Sequence, residues 1–144
     1  MVLFRSIFGK YDPKYKGLQY FTEDLRYSRA FGNNTYAFCT WEYVDVKPVM
    51  FDLTAFNKKW EIEQHLCIEL HEKTIEGIIS DKHEGVEGIM DCLWVMKGED
   101  AYNELVEGVR NADVIKGIDC GNNVVAYCYK DVNKFLIMLN NKPI

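Results

Sequence analysis

A chain of 144 residues with 48% hydrophobic and 14% aromatic side chains is long and apolar enough to bury a core as one domain, residues 1–144, which excludes a disordered or low-complexity protein. Its formal net charge of −5, with no dense run of Lys or Arg, argues against nucleic-acid binding through charge and leaves open only local contact with such a partner.

Residues 2–8 alternate as a strand, with Val2, Phe4, Ser6 and Phe8 on one side and Leu3, Arg5 and Ile7 on the other. Residues 9–17, with Pro13 and three lysines, read as a loop. Residues 18–21 form a second strand, and Thr22 is expected to cap a helix over 23–31 that Gly32 closes. Asn33-Asn34 then turns the chain into 35–46, apolar on both faces as a central strand is. After Pro48, residues 49–53 are extended, and Thr54 is expected to cap a helix reaching about His71, with Phe56, Trp60, Cys67 and Leu70 at helical spacing.

Residues 75–79 and 89–96 read as strands around the polar turn 80–88. Residues 99–110 repeat Ala101, Tyr102, Leu105, Val106 and Val109 as an amphipathic helix. The end is β, with 113–118 followed by 124–129 and 135–139 as a hairpin. The sum is an α+β domain with a mixed, mostly antiparallel sheet core and two to three packed helices.

The five cysteines, Cys39, Cys67, Cys92, Cys120 and Cys128, are odd in number and lack a C-x-x-C pair, so they read as reduced core residues and not as a disulfide framework or zinc site. MVLFRSIFG lacks the apolar stretch of a signal peptide, and no apolar run nears a membrane span, so a cytoplasmic protein is expected. His65 and His71 are spaced onto different helix faces, which argues against a shared metal, and His83 reads as a solvated loop residue.

Arg5 stands in an otherwise apolar strand. A guanidinium there needs an anion or several carbonyls, and either a structural ion pair or a ligand satisfies that need. The segments VLFRS, LQYFTED, YSRAFGNN and VDVKPVMFDL follow in an order that resembles the NAD-binding half of small ADP-ribosyltransferase-like domains of the bacterial toxin and phage type. The resemblance covers roughly the first 55 residues and rests on order and spacing.

It implies that Arg5 contacts the ribose or pyrophosphate of NAD, that Tyr20 or Phe21 packs on the nicotinamide, and that Thr22 takes the place of the family's Ser or Thr. From residues alone, Tyr20 and Phe21 are as well explained as core and Thr22 as a helix cap. The family also uses a late carboxylate to stabilise positive charge on the ribose as nicotinamide leaves. Glu87 leads for that role, with Glu84 and Asp119 behind it.

The function implied is an NAD-dependent mono-ADP-ribosyltransferase with a macromolecular acceptor, protein before nucleic acid. Two alternatives stay open: a hydrolase with water as acceptor, and a non-catalytic interaction or inhibitor protein on the same fold.

Overall fold

The structure is a computed structural model that describes residues 1–40, 47–62, 72–80, 87–119 and 123–144. Among the described residues, seven strands fall into two sheets. One has the order β1 (Val2–Ile7), β3 (Asn34–Thr40), β7 (Leu136–Met138), and the other β2 (Gln19–Phe21), β6 (Val124–Tyr129), β5 (Val114–Asp119), β4 (Met50–Asp52). All pairings are antiparallel except β4 with β5. This is the expected α+β fold with mixed, mostly antiparallel sheets, and among the described residues it carries six α-helical segments where two to three were expected.

Alternation along the strands divides the core in two. Ile115 and Cys128 point to one face of the four-stranded sheet, where they meet Leu105, Val109, Phe56, Ile75 and Leu93 from the helices. Val114, Tyr127, Tyr129 and Phe21 point to the other face and meet Leu3, Tyr36 and Phe38 of the three-stranded sheet. The second cluster therefore lies between the sheets.

The helices are α1 (Leu25–Ser28), α2 (Leu53–Lys59), α3 (Glu72–Ser80), α4 (Glu87–Lys97), α5 (Glu99–Asn111) and α6 (Val132–Phe135), with a 3₁₀ turn over Arg29–Phe31. Two expected strands are thus helices, α3 and α4. Ile75 and Ile78 are fully buried while Glu76 and Ile79 are exposed, and Met90 and Leu93 repeat that spacing of three, which is a helical stripe and not an alternation. Between α4 and α5, Gly98 has φ +89° and its N–H donates to the Trp94 carbonyl at 2.9 Å; that left-handed φ suits glycine.

Other boundaries move for identifiable reasons. Asp24, not Thr22, caps α1, its carboxylate accepting the Tyr27 N–H, and the expected helix over 23–31 is one α turn running into the 3₁₀ turn. Asp52, not Thr54, caps α2 by accepting the N–H groups of Thr54 and Ala55. That helix ends at Trp60, well before His71, and Glu61 follows at φ +50°.

The expected hairpin of 124–129 with 135–139 does not form. β6 pairs with β5 and β2, and the short α6 redirects the chain so that β7 joins β3 in the other sheet. Cys128 is buried and Cys39 half-buried, but Cys92 is exposed on α4 and so departs from the expected core role. Trp41, Tyr43 and Val44 of the expected central strand, Cys67, Leu70 and Cys120 lie outside the described residues. Among the described residues, no helix is long and apolar enough to cross a membrane.

Candidate functional site

The two sheets meet at one antiparallel bridge, Phe4 opposite Thr22. The Phe4 N–H donates to the Thr22 carbonyl at 2.7 Å and the Thr22 N–H to the Phe4 carbonyl at 3.1 Å. Stepping along this register sets Arg5 beside Phe21 and Ile7 beside Gln19. Farther across, Phe21 faces Tyr127, Tyr127 faces Lys116 and Lys116 faces Asp52. Residues opposite one another share a face, so Arg5, Phe21, Tyr127, Lys116 and Asp52 form a transverse row facing the space between the sheets.

Arg5 is half-buried on this row, and its Nη1 donates to the Tyr20 carbonyl at 3.4 Å. It forms one wall of an open cleft of about 170 Å³, lined also by Ile7, Lys10, Tyr11, Asp12, Tyr15 and Gln19. The 9–17 loop thus folds back over the end of β1. Tyr11 anchors it: the ring is buried, its N–H donates to the Tyr36 hydroxyl at 3.1 Å, and its own hydroxyl donates to Gln19 Oε1 at 3.0 Å. Burial pushes the Tyr11 hydroxyl above its ordinary pKa, against the opposing pull of the Gln19 bond and the Arg5 charge, so it remains a donor.

The remaining expected site residues fall as follows. Phe21 is 1% exposed, with its ring edge-on to Phe38 at 5.0 Å and Tyr129 at 5.6 Å, so it is packed as core. Tyr20 points the other way, against the helical cluster, and offers Arg5 its carbonyl. The Thr22 hydroxyl donates to the Val125 carbonyl at 3.0 Å and accepts the Asp24 N–H at 3.1 Å. Thr22 therefore ties the end of β2 to β6.

Two of the three carboxylate candidates, Asp119 and Glu87, fall in different elements. Asp119 ends β5 opposite Val124, next to the Val125 that receives the Thr22 bond, so its backbone belongs to the same end of the same sheet. Glu87 opens α4, in the helical layer and not in a turn between two strands. Glu84 and all three histidines, His65, His71 and His83, lie outside the described residues.

Five polar or aromatic residues of the cleft escaped sequence reading: Lys10, Tyr11, Asp12, Tyr15 and Gln19. Gln19 carried a signal, since it alternates with Phe21 on one face of a strand otherwise apolar there. Tyr11 was hidden in a polar loop. Glu23 was also passed over; its carboxylate accepts the Tyr127 hydroxyl at 3.5 Å, and burial, then Glu23, then Asp52 push that hydroxyl above its ordinary pKa.

No family model, curated protein or solved structure matches the chain. Chemically, the cleft sets two cations, an amide and two phenol rings around one carboxylate, a composition suited to an anionic ligand with a flat or sugar-like part.

Proposed function

We propose that the chain is an NAD-dependent mono-ADP-ribosyltransferase with a protein acceptor. The observation that carries the reading is Arg5, held at the seam of two sheets by the Tyr20 carbonyl and forming the wall of an open cleft beside a second cation, Lys10. A planar guanidinium so fixed suits bidentate contact with the pyrophosphate or ribose of NAD. The cleft volume of about 170 Å³ lies below that of ordinary ligand pockets, so in this reading it takes only part of the dinucleotide, with the remainder lying along the open side.

In this reading the bond between the nicotinamide nitrogen and the ribose anomeric carbon breaks, its electron pair leaves with nicotinamide, and a nucleophile of the acceptor forms the new bond to that carbon and loses its proton. Positive charge grows on the sugar, so a carboxylate there lowers the barrier. Glu87, Glu84 and Asp119 are the candidates for that role; Asp119 shares the Thr22 end of the sheet, the end away from Gln19 and the cleft. The acidic net charge favours a protein over a nucleic acid as acceptor.

A second reading, a non-catalytic interaction protein, is favoured by the exposed Trp94, Val95 and Met96 along α4. The experiment is nicotinamide release from NAD by purified protein, with and without cell lysate, for the native chain and Arg5→Ala. Release that needs both lysate and Arg5 supports the transferase, and release without lysate indicates the hydrolase. No release from a folded protein overturns both enzyme readings and leaves the interaction protein.

A further inference from the structure

The charge of the chain is not spread evenly. Residues 1–40 hold six of the 17 Lys and Arg but only three of the 22 Asp and Glu, so this part is basic and the remainder carries the acidic excess. Each of those three carboxylates accepts a bond from within the chain: Asp12 from the Lys14 N–H, Asp24 from the Tyr27 N–H and Glu23 from the Tyr127 hydroxyl. Lys10, Arg26 and Arg29 are exposed, and among the described residues none of them enters an ion pair.

Exposed aromatic rings stand at the same place. Phe8 is 80% exposed and Phe31 53%, on a chain that buries Phe21 and Phe38 almost completely. Backbone contacts bring the two together. Gly32 lies so close to β1 that a Cβ there would stand 2.4 Å from the Ile7 carbonyl carbon, the Gly9 N–H donates to Asn33 Oδ1 at 3.4 Å, and Asn34 Nδ2 donates to the Gly9 carbonyl at 2.6 Å. Residues 8 and 31 therefore leave from adjoining backbone, and Tyr27 packs edge-on against Phe31 at 4.9 Å. Lys10 links this surface to the cleft, whose wall it also forms.

Exposed rings set among cations that lack counter-ions suit a partner that is both apolar and negative. Two features favour an acidic peptide over a nucleic-acid strand. The rings of Tyr27 and Phe31 are inclined at 74°, which breaks the flat platform on which successive bases stack, and the cations are divided between a loop and a helical turn and do not track a line of phosphates. An aliphatic side chain packs against inclined rings, while flanking carboxylates pair with Lys10 and take the forks of Arg26 and Arg29.

We propose that the surface formed by Phe8, Phe31, Lys10, Arg26 and Arg29 docks an acidic peptide segment that carries an apolar anchor residue. That this segment belongs to the ADP-ribose acceptor rests on the transferase reading; the docking surface itself rests on the charge segregation and the exposed rings.

The test is fluorescence anisotropy of a labelled Glu-rich peptide with spaced leucines, titrated with the full chain. The same peptide with Ser for Leu, the same with Lys for Glu, and an oligothymidylate are the comparison probes. Saturable binding of the Glu-Leu peptide that weakens as salt rises is expected, with none of the Lys form. Phe8→Ser changes an exposed ring outside the core and is expected to weaken binding about 10-fold, the usual loss of an aromatic anchor. Arg29→Glu reverses an exposed charge and is expected to weaken binding roughly 5- to 10-fold at low salt and to flatten the salt dependence.

Absence of Glu-Leu peptide binding to the native chain, or equal affinity in the folded Phe8→Ser and Arg29→Glu variants, overturns the proposal. So does binding of the Ser form as tightly as the Leu form, and tighter, Phe8-dependent binding of oligothymidylate puts a nucleic-acid strand in the peptide's place. The two readings fail separately. Peptide binding without nicotinamide release sinks the transferase and keeps the surface, whereas lysate-dependent release undiminished in both variants keeps the transferase and removes this surface from acceptor choice.

Discussion

Ser6→Ala tests what holds β1, and with it Arg5, in place. On the face of β1 opposite Arg5, the Ser6 hydroxyl shares hydrogen bonds with Ser28 at 2.9 Å and Thr35 at 2.7 Å, and all three residues are buried. The trio joins α1, β1 and β3. Removing Ser6 deletes two neutral bonds, each worth about 1 kcal/mol net, and strands two buried hydroxyls, so the expected loss is about 2–3 kcal/mol. For a chain of this size that lowers the melting temperature by roughly 6–10 °C.

The discriminating variant is Ser6→Ala, Ser28→Ala and Thr35→Val together. It leaves no orphaned hydroxyl, and replacing every partner by an apolar group of similar shape is close to neutral, so it is expected to be more stable than Ser6→Ala alone. Thermal and urea denaturation of the two variants, compared with the native chain, gives the answer. If the triple variant loses more stability than the single one, the cost of unmet polar groups is not what makes Ser6 matter, and the reasoning fails.

Two further outcomes follow from the packing. A Cβ added at Gly32 would stand 2.4 Å from the Ile7 carbonyl carbon and 2.5 Å from its nitrogen, so Gly32→Ala is expected to cost about 1–3 kcal/mol by pushing back the end of β1; native-like melting would contradict this. Burial raises the Tyr129 pKa to about 12 from an ordinary 10.0, with the Tyr127 charge adding to the shift. The folded state therefore holds this proton where the unfolded state has released it, so the stabilisation is complete below pH 10 and is lost as pH rises to 12, about 2–3 kcal/mol in all. Denaturant midpoints across that range should fall less steeply in Tyr129→Phe, and identical slopes refute the assignment.

The strands of the first 40 residues were legible because their alternation is sharp: Leu3, Arg5 and Ile7 fall on one side of β1, and buried Tyr36, Ala37 and Phe38 mark β3 as covered on both faces. The short apolar runs of α3 and α4 were not. Isoleucine-rich segments satisfy a strand template as readily as a helix, and only the interval of three between Ile75 and Ile78 and between Met90 and Leu93 decides for the helix. Both helix caps were read on a threonine where an aspartate two residues away wins, Asp24 at α1 and Asp52 at α2, because a carboxylate accepts backbone N–H groups more strongly than a hydroxyl. Arg5 was legible as an anomaly, but Gln19 and Tyr11 acquire meaning only when the loop closes over β1, a long-range fact that no local pattern carries.

The passage of the chain between the sheets has a kinetic consequence. β1 and β3 lie in one sheet with β7, but every strand of the other sheet, β2, β4, β5 and β6, is made before β7. Phe38 must wait for Met138, and the Ile144 N–H closes onto the Thr35 carbonyl from farther still. During synthesis the β3 edge stays open until the final strand emerges, leaving an unpaired backbone edge beside an aromatic cluster. Folding is therefore expected to be slow for the chain's length, with aggregation of the nascent chain competing until β7 docks.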